Sequence, residues 1–342
     1  MSYIHVDVEH FGGPDQLRVM EEAHLSEPAP GQVRVRVLTA GTGFTDTIIR
    51  QGHYIDVKEK PPFTLGYDWF GVVDKLGAGV DTLEVGQLVA DMSVIGGYTQ
   101  YLCVAADRVI PAPANLDPAA AVAMILSYTT AYQMLTRLRQ IPAGSTCLVH
   151  AAGGAVGTAL LELGRLMGLT MYGTASAGKH EIVRRYGGIP IDYRTQDFVT
   201  EIRKATNGKG VDVVFDTIGG KHWSRSYRCV KKGGILVCFG VLEYTTGKAS
   251  TASVLVAMFK LNHLWKLIPD GKSATFYNIS HRRDSHPEEF KADVSALFVM
   301  LSQGKLQPAV AEVVPLRQAA EVHRRIDAAE IAGKVVLRCT PE

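Results

Sequence analysis

The stretch STCLVHAAGGAVGTALLELGRLMGLTMYGTAS, Ser145 to Ser176, decides the fold. Ser145 to Ala151 is a short, almost wholly apolar run, the pattern of a strand buried on both faces. From Thr158 to Met167 the apolar residues Leu160, Leu161, Leu163 and Leu166 fall at helical spacing, and LTMYGTAS, from Leu169 to Ser176, is a second strand. Between the first strand and the helix lies AAGGAVG, in which Ala151-x-x-Gly154-x-x-Gly157 is a variant of the fingerprint GxGxxG. The small residues Ala151, Gly153, Gly154, Ala155, Val156 and Gly157 let the backbone close on a pyrophosphate. The helix start offers unpaired N–H groups and positive potential to the same anion. A glycine-rich turn also arises from tight packing alone, but the strand–turn–helix–strand context favours a nucleotide.

The end of the second strand selects the nucleotide. A site for NAD normally places Asp or Glu there, to hold the adenosine ribose. Here the chain reads YGTASAGKH, with Thr174, Ser176 and Lys179 and no acid before Glu181. A hydroxyl and a compact cation suit a 2′-phosphate, so the expected cofactor is NADP(H). The competing reading makes Lys179 a solvated first-turn residue.

Outward from this stretch the alternation continues. A helix is expected from Lys179 to Tyr186, then strands in IDY, VDVVFDTIG and GGILVCFG, with TFYNIS (Thr275 to Ser280) as a sixth strand closing one edge. The first third is β-rich: QVRVRVL (Gln32 to Leu38) alternates with period two, and EPAPG and GAG mark turns. PAPANLDP, Pro111 to Pro118, reads as a connector, with Asp117 as N-cap of the next helix. After Pro287 come a helix to Ser302, the strand-like AVAEVVP, a helix from Leu316 to Ala329 and a last strand, KVVLRC.

Charge divides the same way. Residues 1–125 hold 8 Lys and Arg against 16 Asp and Glu, residues 126–281 hold 19 against 9, and residues 282–342 hold 9 of each, for a net +2. A length of 342 residues predicts two domains, placed at 126–281 and at 1–125 with 282–342. The basic middle suits a polyanionic dinucleotide. Nucleic acid ranks well below, because no recognition motif and no dense basic run is present.

The N-terminal residues resemble no export signal, and Ala119 to Leu135 is short for a membrane span, so a cytoplasmic protein is expected. Val254 to Ile268 is apolar but interrupted by Lys260, His263 and Lys266, and reads as a local hydrophobic cover with membrane contact the lesser reading. Cys103, Cys147, Cys229, Cys238 and Cys339 are scattered, without a CxxC pair, and read as inert buried thiols.

VHAAGGAVG, YGTASAGKH, IDYRTQDF and GKGVDVVFDTIGG together resemble the zinc-free quinone oxidoreductase branch of the medium-chain dehydrogenase/reductase superfamily. GTGFTDTIIRQGHY, PPFTLGYDWFGVV and SYTTAYQML upstream, and LFVMLSQGKLQP and GKVVL downstream, extend the resemblance over nearly the whole chain. It implies an α/β architecture in which a Rossmann dinucleotide-binding domain is joined to a GroES-like β-rich catalytic domain. It further implies a homodimer paired through the edge strand near Thr275–Ser280. Thr130 is implied near the nicotinamide, and Tyr193 against the adenosine phosphate, with a place in the core as its alternative. Asp216, Ile218, Gly219, Phe239 and Gly240 follow strands whose carboxyl ends carry the ligand in such folds; Asp216 as a turn cap is the competing role. Zinc members of the superfamily carry a catalytic Cys and a Gly-His-Glu motif. This chain has Thr42-Gly43 and Gly66-Tyr67-Asp68 there and no cysteine cluster, so no metal is expected. The family often has Asn where this chain has Gly43, which loosens the expectation of substrate class.

Without a metal the acceptor itself must be electrophilic, which points to NADPH-dependent reduction of quinones, or of enones and enals at the double bond. Tyr54 is the first candidate for a hydroxyl donor, with Tyr67 and Asp46 as further polar groups and a pocket-wall role as the alternative for Tyr54. A non-catalytic NADPH-binding protein, used for interaction or RNA contact, is the alternative from another class, followed by a membrane-surface adaptor. The apolar segment Tyr244 to His286 is expected to shape the substrate mouth, to cover the dimer edge or to contact a hydrophobic partner.

Overall fold

A computed structural model describes residues 2–245, 247 and 250–340. The chain divides into two units, Met1–Thr129 with Arg283–Glu342, and Thr130–Arg282.

The second unit is built on a six-stranded sheet of β1 (Thr146–Val149), β2 (Thr170–Ala175), β3 (Gly188–Asp192), β4 (Val211–Asp216), β5 (Val230–Cys238) and β6 (Ser273–Phe276), in the order β3-β2-β1-β4-β5-β6. Every neighbouring pair is parallel. The direction of winding reverses between β1 and β4, which puts their carboxyl ends at the position where such sheets bind ligands. The helix after β1, α1 (Ala155–Leu166), buries Ala159, Leu160 and Leu163 against the sheet. It stops because Gly168 adopts φ +71°, letting the amides of Gly168 and Leu169 bond back to the carbonyls of Arg165 (3.0 Å) and Gly164 (2.9 Å).

Two differences from the sequence expectation have local causes. The sixth strand ends at Phe276, because Asn278 Oδ1 accepts the amides of Ser280 (2.9 Å) and His281 (3.2 Å) and starts a helix, Ile279–Ser285. The expected buried helix after Asp117 is interrupted: Pro118–Ala123 is α-helical, Met124–Tyr128 is a π turn, and Thr129–Thr136 resumes the α-helix. Thr129 Oγ1 donates to the Met124 carbonyl at 2.8 Å within that wider turn. Asp117 caps the first segment, its carboxylate accepting the Ala120 amide at 2.8 Å.

The apolar segment after β5 has two faces. From Thr251–Phe259 through Trp265–Leu267, Ala257, Leu261 and Trp265 are buried with Trp223 and Tyr227, and the rings of Tyr227 and Trp265 stack at 4.5 Å. Leu255, Val256, Phe259, Leu264 and Leu267 on the same segment are exposed. Thr246, Lys248 and Ala249, within the segment singled out from sequence, lie outside the described residues.

In the first unit the strand Gln32–Gly41 is the hub. It pairs antiparallel with Trp69–Leu76, Tyr101–Ala105 and the C-terminal strand Lys334–Arg338. Its alternation buries Val33, Val35 and Val37 on one face. Lys334–Arg338 also pairs parallel with Val310–Pro315. A smaller sheet centres on Tyr3–Val8, between Leu17–Glu22 and Phe63–Thr64. Among the described residues, no helix is long and apolar enough to cross a membrane. Cys147, Cys229, Cys238 and Cys339 are buried; burial drives the Cys147 and Cys229 thiols up to about 12, the state of unreactive thiols.

Candidate functional site

The turn after β1 is held in shape from both sides. The His150 amide bonds to the Phe215 carbonyl of β4 (3.0 Å) and the Ala152 amide to the Thr174 carbonyl of β2 (3.0 Å). Ala151 sits at φ +54°, a conformation uncommon for a residue with a Cβ. Gly154 is the N-cap of α1 and no side chain caps the helix there. The Thr158 amide is taken by the Gly154 carbonyl at 2.8 Å, leaving the first-turn amides of α1 to an external acceptor. Gly157 has no alternative: a Cβ would stand 2.6 Å from Ala152 Cα and against the Ala151 carbonyl. A Cβ on Gly153 would meet the Cβ of Lys179 at 2.9 Å, so Gly153 and Lys179 lie side by side.

Beyond β2, Ser176 caps a single 3-10 turn, Ala177–Lys179, its carbonyl accepting the Lys179 amide at 2.8 Å. Lys179 is half-buried; burial first, and then the charge of Arg194, lower its pKa. Arg194 was not singled out from sequence. It follows β3, next to Tyr193, and its guanidinium lies 6.0 Å from the Tyr193 ring centre. Tyr193 is 55% exposed, which removes the core reading of that residue.

The loops after β4 and β5 are stitched together. The amides of Leu242 and Glu243 bond to the carbonyls of Thr217 (3.1 Å) and Ile218 (2.8 Å), and the Phe239 amide bonds to the Asp216 carbonyl (3.0 Å). Gly219, at φ +94°, and Gly240 permit this approach, since a Cβ on either would strike Val241 or Thr217. Asp216 does cap the turn: its Oδ1 accepts the Ile218 amide at 2.7 Å. Its Oδ2 accepts from Ser226 Oγ (2.6 Å) and His222 Nδ1 (2.8 Å). His150, from the end of β1, completes the group, with Nδ1 at 2.9 Å from Thr174 Oγ1 and Nε2 at 3.0 Å from Ser226 Oγ. Burial acts to raise the Asp216 pKa, but the imidazoles of His150 and His222 and the Ser226 hydroxyl outweigh it and hold the carboxyl at about 2. His150 is pushed down to about 3 by burial and by His222, and is a neutral imidazole. Sequence reading missed His150, His222 and Ser226. The only signal, a polar His inside the apolar run STCLVHA, is weak by itself.

In the first unit, Tyr54 and Tyr67 share a hydrogen bond between hydroxyls at 2.6 Å, their rings perpendicular at 5.8 Å. Tyr67 is fully buried and Tyr54 half-buried. Asp46, expected to join them as a reacting group, has a framework position instead. It is completely buried, with Oδ2 accepting the Gly43 amide (2.8 Å) and Oδ1 the Tyr67 amide (3.0 Å). It therefore ties the helix Phe44–Arg50 to the segment that carries Tyr67. Burial and the nearby Asp68 carboxylate push Asp46 up to about 7, against the pull of Lys334 and the two amides. Asp68 and Lys334 are themselves buried and paired at 3.3 Å.

Thr130 Oγ1 is buried with no hydrogen-bond partner among the described residues, an expensive state for a hydroxyl. Its environment asks for an external acceptor or donor.

Residues 29–114 match the alcohol dehydrogenase GroES-like domain family, and residues 188–337 match the zinc-binding dehydrogenase family. The chain is 33% identical over 333 residues to a 2-haloacrylate reductase of Burkholderia sp, spanning 95% of this chain and 96% of that protein. It is 32% identical over 339 residues to the synaptic vesicle membrane protein VAT-1 homolog of Rattus norvegicus, spanning 97% and 83% respectively. The crystal structure of Escherichia coli quinone oxidoreductase complexed with NADPH is similar throughout, with a TM-score of 0.87 at 28% identity over 98% of this chain and 99% of that one. With relatives and a solved structure matched over nearly the whole chain, the chain belongs to the zinc-free quinone oxidoreductase branch of the medium-chain dehydrogenase/reductase superfamily, a family of oxidoreductases.

Proposed function

We propose that this protein is an NADPH-dependent reductase of quinones. The observation that carries the reading is the turn Ala151–Gly157: a backbone cradle with no room for a Cβ at Gly157, in front of an uncapped helix start. That cradle fits a pyrophosphate. Lys179 and Arg194 bring two cations to the ends of β2 and β3, and the chain directly after β2 carries no acid before Glu181, which supports a 2′-phosphate over a free ribose. The partnerless Thr130 hydroxyl is consistent with a polar ligand at the nicotinamide end. NADPH supplies the hydride when bound. The residues of this chain are assigned to holding it: Gly153, Gly154, Ala155, Val156 and Gly157 at the pyrophosphate; Thr174, Ser176, Lys179 and Tyr193 at the adenosine half; Thr130, Ile218, Gly219, Phe239 and Gly240 at the nicotinamide half. The Tyr54–Tyr67 pair is assigned to the acceptor oxygen. A hydroxyl that already shares a proton with a neighbour donates to a developing oxyanion while the second tyrosine compensates.

The 2-haloacrylate reductase among the relatives favours a second acceptor class, activated carbon–carbon double bonds. The test is oxidation of NADPH by purified protein, followed by loss of its near-ultraviolet absorbance, against a panel of quinones, enones and haloacrylates, with NADH alongside. Quinone turnover with preference for NADPH supports the main reading; turnover only with the unsaturated acids or enones moves the protein to the second class. Binding of NADPH without turnover of any acceptor returns it to a non-catalytic binding role.

A homodimer belongs to the same proposal. β6 is an edge strand, and the exposed Phe276, Leu264 and Leu267 lie on it or on the segment before it. Light scattering at micromolar concentration is expected to give twice the chain mass.

A further inference from the structure

We propose that His150, Asp216 and His222 form a binding site for a divalent transition-metal ion of the Zn2+ type, separate from the superfamily's zinc positions. Those positions correspond to Thr42-Gly43 and Gly66-Tyr67-Asp68 in the first unit, whereas this group lies in the second. One ligand atom from each of the three residues lies within 4.8 Å of the others. The spacing suits a small ion. A tetrahedral site with bonds of about 2.0–2.2 Å has its ligand atoms roughly 3.3–3.6 Å apart. Here His222 Nδ1 and Asp216 Oδ2 are 2.8 Å apart, and Ser226 Oγ stands 2.6 Å from Oδ2, 3.0 Å from His150 Nε2 and 3.5 Å from His222 Nδ1. Opening the centre lengthens the separations around Asp216 Oδ2 by roughly 0.5–1 Å and that between Ser226 Oγ and His150 Nε2 by roughly 0.3–0.6 Å, with the serine hydroxyl as fourth ligand or as partner to a bound water.

The far side of two ligands is already fixed. Thr174 Oγ1 holds His150 Nδ1 at 2.9 Å, turning Nε2 inward, and the Ile218 amide holds Asp216 Oδ1 at 2.7 Å, turning Oδ2 inward. Such outer hydrogen bonds are what orient metal ligands in proteins. At His222 the ion replaces the proton that Nδ1 now shares with Asp216, and that proton moves to Nε2, so no net charge is lost from the ring. His222, the least buried of the three, is the route of entry.

The ligands come from the end of β1, the end of β4 and the first turn of the helix Lys221–Cys229. A bound ion therefore joins His150, just before the glycine turn, to Asp216, the last residue of β4 before the loop that carries Ile218 and Gly219, and stiffens both loops. The inference does not depend on the dinucleotide reading, since it rests on these residues alone.

The experiment uses the full chain, stripped with a chelator and titrated with Co2+, whose visible absorption reports four-coordination, followed by displacement with Zn2+. One saturable site per chain is expected, with a rise in melting temperature on loading. In His222→Ala or His222→Gln, the affinity is expected to fall by at least about tenfold while metal-free circular dichroism is retained. X-ray absorption of the zinc-loaded natural protein is expected to show two imidazoles with oxygen donors, and this readout stands even where a variant fails to fold. Absence of saturable binding, binding unchanged in both His222 variants, or an all-oxygen six-coordinate spectrum would falsify the site.

Discussion

Asp46 and Asp216 are both wholly buried, yet one carboxyl is pushed up to about 7 and the other held down at about 2. Both accept backbone amides: Gly43 and Tyr67 for Asp46, Ile218 for Asp216. What separates them is the remaining company. Asp46 faces a second carboxylate, Asp68, whose pairing with Lys334 leaves little cationic help to spare. Asp216 faces two imidazoles and a hydroxyl. Burial alone therefore says nothing about the sign of a carboxylate's shift; the neighbours set it. The two units thus hold their working residues in different ways, one with a charge cluster at the edge of balance, the other with a single carboxylate saturated by hydrogen bonds.

The largest way to break this contrast is Lys334→Ala. It leaves two buried carboxylates without their cation and is expected to cost about 3–5 kcal/mol near neutral pH and above. Most of that loss should disappear at about pH 5, where Asp46 already carries its proton. Denaturant unfolding at the two pH values tests this; an equal loss at both would make Lys334 a packing residue. Gly157→Ala follows, with roughly 1–3 kcal/mol of overpacking against Ala151 and Ala152 and loss of NADPH binding by calorimetry. The Asp216 network should be little affected, since the atoms nearest that Cβ belong to Ala151 and Ala152.

Lys179→Ala is expected to raise the Michaelis constant for NADPH about tenfold or more and to leave that for NADH unchanged, the size of one charge-assisted hydrogen bond. Equal effects on both cofactors would remove the 2′-phosphate assignment. Tyr54→Phe should lower turnover by more than about tenfold with cofactor affinity intact. An unchanged rate makes Tyr54 a wall of the site.

The smallest effect per step is the pH response of the natural protein, at most about 1.4 kcal/mol per pH unit for each group. The folded pKa of Asp46 is raised above 3.8, so its contribution is fully present below about 3.8 and is lost as pH rises toward 7. Asp216 is lowered, so its contribution is present above about 3.8 and is lost as pH falls toward 2. Amide exchange resolved by unit should show the first unit loosening between these acidic and neutral limits, and the second only in stronger acid.

How much of this was legible in the sequence follows from the same contrast. The glycine turn was readable because its requirement is steric and local: one position, Gly157, excludes every other residue, and strand and helix periodicities frame it. The alternation of strands and helices was legible too, though the edge strand was expected to run to Ser280, four residues past its end at Phe276, because Asn278, a side-chain helix start, looks like any strand-end polar residue. The backbone partners of Asp46, the amides of Gly43 and Tyr67, were not legible, because nearness to a motif in sequence does not tell whether a carboxylate faces solvent, ligand or backbone. His150, Asp216 and His222 were invisible as a group, since only the parallel pairing of β1 with β4 brings residues 150 and 216 together. Arg194 likewise reaches Lys179 only through the neighbouring placement of β2 and β3.

The pairing of Lys334–Arg338 with Gln32–Gly41 has a consequence for how the chain is made. The second unit is contiguous, Thr130–Arg282, and all its strands have left the ribosome while the C-terminal sixty residues are still being added. The first unit must wait. Until residue 334 emerges, the Asp68 carboxylate lacks its cation and the last three residues of the strand at 32–41, Thr39 to Gly41, lack their partners on one side. The unit whose sequence comes first is the one that finishes folding last, and over that interval it is the half of the nascent protein that a chaperone would have to guard.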